Sequence, residues 1–149
     1  MMQEIIKQLS TICGPERVLT AAADLRHFGG DRSTAFTPEP TAVVLPKTID
    51  EVSAIVRYAN GAKLALVPSG GRTGLSGGAV ARAAEVVVAL DRMDQILEFD
   101  ALEGVVRCQA GVITKNLQDF ARDLNLCYPV DFAATGSSQI GGNIATNAG

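Results

Sequence analysis

The chain has 149 residues, 47% of them apolar and 19% charged, with a formal net charge of −3. That length suits one domain with a real core, and the composition is that of a globular protein, not a disordered tail. The weakly acidic balance, without any Lys/Arg run, argues against nucleic acid as a partner, and no apolar stretch reaches the roughly 20 residues needed to span a bilayer.

The N-terminus, Met1 to Gln8, lacks the basic-then-apolar layout of a secretory leader. Cys13, Cys108 and Cys127 are odd in number and far apart, matching neither a disulfide framework nor a zinc pattern. Buried or incidental thiols in a reducing, cytoplasmic setting are the expectation.

Ile5, Ile6, Leu9 and Ile12 form a helical stripe that ends at Gly14-Pro15. From Asp24 to Pro40 periodicity is weak, and Gly29, Gly30, Pro38 and Pro40 suggest a surface connection. A β-α-β unit follows. Thr41–Leu45 reads as a buried strand, and Thr48-Ile49-Asp50-Glu51 as a capping box. Val52, Ile55, Val56 and Ala59 make the apolar face of the helix, which Asn60-Gly61 should end. Leu64–Val67 is the next strand, expected to pair parallel by a right-handed crossover.

Three further β-rich segments are Val86–Leu90, Ile96–Phe99 and Gly104–Cys108, the last two forming a hairpin around Asp100–Glu103. Thr114 is placed to cap a helix carrying Leu117, Phe120, Ala121 and Leu124 on one face and ending near Asn125. Tyr128 to Gly149 reads as mostly loop, folded around a ligand if one is present. The expected architecture is α+β in a single domain over 1–149, with a small parallel β-α-β layer over 1–80 and a further β portion over 81–149. The chain reads as the front part of something longer.

Nine of the fifteen glycines fall in two stretches, Ser69 to Gly78 and Gly136 to Gly149. Glycine lets backbone approach a ligand closely and adopt positive φ cheaply. Successive N–H groups in such turns converge on an anion, and Ser, Thr and Asn add short polar arms. Two such loops in one small domain point to a large phosphate-bearing ligand between them.

Familiar short motifs do not account for the first loop. A P-loop requires a lysine, and none lies between Lys63 and Lys115; the Gly-x-Gly-x-x-Gly spacing is also absent. Gly74-Leu75-Ser76-Gly77-Gly78 fits a hydrolase elbow, but the one histidine, His27, lies upstream, so Ser76 lacks the base that follows in that class. His27 has no carboxylate or Cys/His cluster in sequence beside it and reads as a structural or surface residue. Asp131 suits either a ligand contact or a turn cap, and Asp91, Asp94 and Asp100 read as turn residues, with no metal site.

As a whole, Pro68-Ser69-Gly70-Gly71-Arg72-Thr73-Gly74-Leu75-Ser76-Gly77-Gly78-Ala79 resembles the pyrophosphate loop of the vanillyl-alcohol oxidase, or PCMH-type, FAD-binding domain. It is most similar to the D-lactate dehydrogenase and glycolate oxidase branch. Tyr128-Pro129-Val130-Asp131, Gly136-Ser137-Ser138 and Ile140 to Gly149 resemble that branch's flavin-contacting segment. The likeness extends to Asp31-Arg32-Ser33 and Thr41 to Pro46.

The resemblance implies that Ser69, Gly70, Gly71, Arg72, Thr73 and Gly74 wrap the FAD pyrophosphate, with Ser76 nearby. It implies that Pro129, Gly136, Ser138, Gly141, Gly142, Asn143 and Thr146 line the flavin and ribityl region. One branch carries a flavin-linking histidine where this chain has Arg72, so FAD should be held non-covalently, with Arg72 on a phosphate or out in solvent. The implied parent oxidises a small D-2-hydroxy acid such as lactate, glycolate or 2-hydroxyglutarate by hydride transfer to flavin N5. Its catalytic histidine, substrate arginine and any metal ligands lie beyond the flavin segment, so the chain alone should bind FAD and turn nothing over. An incomplete second layer would leave apolar faces open to self-association. A free-standing flavin- or nucleotide-binding subunit with its catalytic partner on another chain is the alternative.

Overall fold

The computed structural model describes residues 2–148, so Met1 and Gly149, the end of the second glycine stretch, lie outside it. Helix α1 (Met2–Cys13) buries Ile5, Leu9 and Cys13, the face set by its apolar spacing. It stops at Gly14, whose φ of 92° turns the chain before Pro15. Short strand β1 (Val18–Leu19) leads to α2 (Ala22–Gly29), and then β2 (Ala42–Val44), α3 (Ile49–Ala62), β3 (Leu66–Ser69) and β4 (Val86–Ala89) follow.

The sheet order is β1-β2-β4-β3, with β1 antiparallel and the other three parallel. Thus β2 and β3 run parallel but do not touch: β4 enters between them, with Val86 in register with both Ala42 and Leu66. The first layer therefore extends past residue 80. Strand alternation assigns the two faces. Ala42, Val44, Val86 and Val88 pack with α1 and with Ile55 of α3, whereas Val43, Leu45, Val87 and Ala89 pack with Ala81 and with Leu25 and Phe28 of α2. Burial on both faces explains why these strands are almost uninterrupted valine and alanine.

Helix α2 corrects the reading of Asp24–Pro40 as a plain connection. Its Leu25 and Phe28 fill the second face of the sheet, and Gly29 is buried where a side chain would strike Pro38 and Pro40. At α3 the cap forms by half: Thr48 Oγ1 accepts from Glu51 N at 3.1 Å. The Glu51 carboxylate instead accepts from Lys47 N and takes both arms of Arg17 at 2.6 and 2.7 Å. The helix also runs through Gly61. It ends at Lys63, left-handed with φ 54°, where Leu64 N bonds to Ala59 O and the Leu64 side chain joins the core.

The second layer is the hairpin β5 (Ile96–Asp100) and β6 (Val105–Cys108), then α4 (Thr114–Asp123) and α5 (Ile140–Ala145). Val112, Leu117 and Ile140 form its small core. One expectation changes here. Ile113, not Thr114, takes the cap position of α4, while Thr114 is the buried first residue of the helix. The segment after Tyr128 is mostly loop, as expected, with one short helix where Ile140–Ala145 closes into α5. Gly141 is forced there by packing: a Cβ would lie 2.7 Å from that of Ala110.

Candidate cofactor-binding site

The first glycine stretch leaves the carboxyl end of β3, the end at which open parallel layers place their ligands. The second stretch meets it directly. A Cβ on Gly71 would run into the Ser137 carbonyl oxygen and lie 2.8 Å from Ser138 Cα, so only glycine permits this approach. The two stretches singled out in the sequence thus form one backbone junction.

Within the first loop, Ser69 is fully buried and its hydroxyl donates to Phe28 O at 3.0 Å. Its side chain therefore ties the loop to α2. Thr73 is half-buried and Ser76 exposed, and neither hydroxyl bonds to another described residue. Arg72 has a left-handed φ of 58°. Its guanidinium takes both Asp91 carboxylate oxygens at 2.7 and 3.0 Å, donates to Gly70 O at 2.7 Å and lies 4.9 Å over the Phe28 ring. The side chain is only 17% exposed, which corrects the solvent-facing alternative.

The backbone of this loop is distinctive. From Gly70 to Ser76, no N–H donates to an acceptor among the described residues. Buried backbone N–H groups are almost always paired, so the half-buried donors of Gly70 to Thr73 need a ligand or water, whereas Gly74, Leu75 and Ser76 are exposed to solvent. A left-handed residue within such a run is a feature of anion-binding nests. Further on, Gly74 O accepts from Arg32 N at 2.9 Å. Asp31 accepts from Ser33 N and Gly77 N at 2.8 and 3.0 Å. Residues 31–33 therefore pin the far side of the loop.

The second stretch is tied down largely by residues of the second layer. Ser138 is buried, with its Oγ 2.8 Å from Thr114 Oγ1, and Asn143 Nδ2 donates to the same Thr114 oxygen at 2.7 Å. Gly141 N donates to Ala110 O, and Thr146 Oγ1 to Gly142 O at 2.9 Å. Gly136 and Gly142 have open space where a Cβ would stand, while Pro129 is exposed. Gln139 stands out: it is 5% exposed, its Oε1 has no partner, and that oxygen lies 3.4 Å from the Cβ position of Gly70. A buried acceptor at the junction suits the hydroxyl or N–H donors of a polyol or heterocycle.

Sequence reading passed over Asp31, Asp91, Thr114 and Gln139 as site-forming residues. Asp131 is a turn residue: it accepts from Thr135 Oγ1, which in turn accepts from Phe132 N. His27 is exposed and meets the Phe28 ring edge-on. Among the described residues no His/Cys/Asp/Glu group could hold a metal, and no helix is long and apolar enough to cross a membrane. A cavity of about 530 Å³ in the second layer is lined by Phe99, Val106, Phe120, Tyr128 and Ile140 among others. No residue of the first loop lines it, so it is not the phosphate site.

Free N–H donors, close glycine approach and a buried unsatisfied acceptor fit a dinucleotide carrying a diphosphate and a polyol. Fold and loop together define an α+β domain that binds such a cofactor. A family model described as an FAD binding domain matches residues 40–149, and the chain belongs to that family, with FAD as its cofactor. The chain is 57% identical over 145 residues to a D-2-hydroxyglutarate dehydrogenase of Stutzerimonas stutzeri, covering 97% of this chain and 31% of that protein. It therefore spans about a third of the length of that curated relative. Its fold matches alkyldihydroxyacetonephosphate synthase with a TM-score of 0.87 at 19% identity, over 96% of this chain and 29% of the other. Substrate-bound p-cresol methylhydroxylase matches with a TM-score of 0.74 at 20% identity, over 97% and 28%. The architecture is that of a PCMH-type FAD-binding domain.

Proposed function

We propose that this chain is the FAD-binding part of a dehydrogenase that oxidises a D-2-hydroxy acid of the 2-hydroxyglutarate type. The carrying observation is the run of free backbone donors from Gly70 to Ser76, which suits a diphosphate without a lysine. The substrate class rests on the 57% identity to a protein of that name. That relative is a single chain about three times as long, which favours a longer parent over a separate catalytic subunit.

In this reading Ser69 to Gly74, with Ser76, form the diphosphate cradle, chiefly through main-chain N–H groups. Charge-assisted bonds of this kind are worth roughly 1.5–3 kcal/mol each, enough in sum for non-covalent retention. Pro129, Gly136, Gly141, Gly142 and Thr146 border the flavin and ribityl chain. Ser138 and Asn143 act behind them, by holding the segment to Thr114. Bound FAD supplies the acceptor for the substrate's hydride; the chain's own residues bind and orient it. We assign no catalytic base or metal ligand to these residues. Three free cysteines favour a reducing, cytoplasmic setting.

An FAD titration followed by flavin fluorescence, with riboflavin as control, tests the cradle. Saturable binding that riboflavin does not reproduce supports it, and equal binding of both refutes a phosphate-reading loop. Dye reduction by a protein extended through the relatives' full length, with D-2-hydroxyglutarate, D-lactate and glycolate compared, tests the substrate.

A further inference from the structure

We infer that Asp91 is the positioning residue of the phosphate loop, acting through Arg72. This rests on the reading of Gly70–Ser76 as a diphosphate cradle and names what sets its shape and charge. Asp91 follows β4, whose neighbour Leu90 donates its N–H to Ser69 O at 3.0 Å. The carboxylate thus stands at the base of the loop, in the turn just past the neighbouring strand. It takes both guanidinium arms of Arg72, while the same group reaches back to Gly70 O and covers the Phe28 ring. Three groups from three parts of the chain converge on one side chain whose backbone is left-handed.

Two consequences follow. The first is conformational. A non-glycine residue at φ 58° needs its surroundings to hold it, and the fork-to-fork pair does so with more geometric definition than a single bond. The second is electrostatic. Arg72 is the cation closest to the free N–H groups along the chain, and Asp91 offsets its charge at 2.7 Å. The loop therefore offers an anion a row of backbone dipoles with little net charge, so FAD affinity should depend weakly on salt. Removing the Asp91 charge releases Arg72 toward the phosphates and loosens the loop together.

The test is tryptic cleavage at the Arg72–Thr73 bond in the cofactor-free chain, followed by mass spectrometry, for the natural protein, Asp91→Asn and Asp91→Glu. Trypsin must draw the Arg72 side chain into its own pocket, so the tether protects this bond directly. Asp91→Asn should speed that cleavage at least tenfold while leaving cleavage after exposed Arg122 unchanged, and Asp91→Glu should restore part of the protection. Glu98→Gln, which breaks the exposed Arg107–Glu98 pair, should leave Arg72 protected. Unchanged cleavage in Asp91→Asn would overturn the tether, and faster cleavage everywhere would mark a merely structural role.

FAD titrations at two salt concentrations then read the loop's charge. Asp91→Asn should show weaker FAD binding at high salt and a steeper salt dependence than the natural chain. Accelerated cleavage with unchanged affinity and salt dependence would overturn the link to the phosphate. Accelerated cleavage in Asp91→Asn, together with a natural chain that binds no FAD, would leave the positioning role standing and sink the cradle reading instead.

Discussion

Gly71 and Ser137 are in main-chain contact, and this single approach joins the two glycine stretches. No rotamer can relieve a clash between a Cβ and a carbonyl oxygen, so the substitution acts on backbone position. Gly71→Ala should destabilise the chain by about 1–3 kcal/mol, the usual cost of overpacking. Gly78→Ala is the matched control: nothing lies within 4 Å of its Cβ position, and its effect should stay within about 0.5 kcal/mol. Urea unfolding of both variants checks the contrast, and equal midpoints would deny that the junction is tight.

Thr114 is the hub of the polar cluster beneath the second stretch. It meets Ser138 Oγ and accepts from Asn143 Nδ2, all three residues being buried. Thr114→Val keeps the shape and leaves two polar groups unpaired, at about 1–3 kcal/mol each. Ser138→Ala added to it should cost less than the sum of the singles, because Thr114→Val has already removed that bond. Denaturation of the two singles and the double measures this coupling, and simple additivity would contradict a shared network.

Glu51 links α3 to the turn before β1 through Arg17. The hydrogen bond from Arg17 holds its carboxyl below the usual glutamate range, helped by Lys47 N and opposed by desolvation. The folded pKa lies below the unfolded one, so the stabilisation is full above the unfolded value near 4.3 and is lost as pH falls through the folded value. Glu51→Gln should therefore lower stability at pH 7 and flatten the loss of stability below about pH 4. Melting curves from pH 3 to 7 report it. An unchanged acid limb would mean that other carboxylates dominate.

What the sequence made legible was local or periodic: the α1 stripe, the Thr48 cap, the valine strands and the glycine stretches. What it hid was set by partners far along the chain. Asp31 reads as one more loop aspartate until it is found on Gly77 N, 46 residues on. Asp91 reads as a turn residue because nothing nearby announces Arg72, 19 residues before it. Helix α5 was invisible because Gly141-Gly142 has poor helix propensity, and only contact with Ala110 explains the glycine at 141. The insertion of β4 between β2 and β3 is likewise a topological choice that strand composition does not encode.

The cysteines offer a reading of core integrity that needs no cofactor. Cys13 closes α1 with its side chain 1% exposed against Leu9 and the sheet. Burial, aided by the Glu51 charge, pushes its thiol up to about 11, so at pH 8 almost none is thiolate, the form that reacts. Cys127 is exposed beyond α4. A thiol reagent at pH 8 should therefore label Cys127 within minutes and Cys13 only at the rate at which α1 opens, with both labelled at once in denaturant. Thr114→Val, which loosens the second layer, should leave Cys13 labelling almost unchanged if the two layers open independently. Acceleration of Cys13 to match the loss of global stability would instead show that both unfold as one cooperative unit.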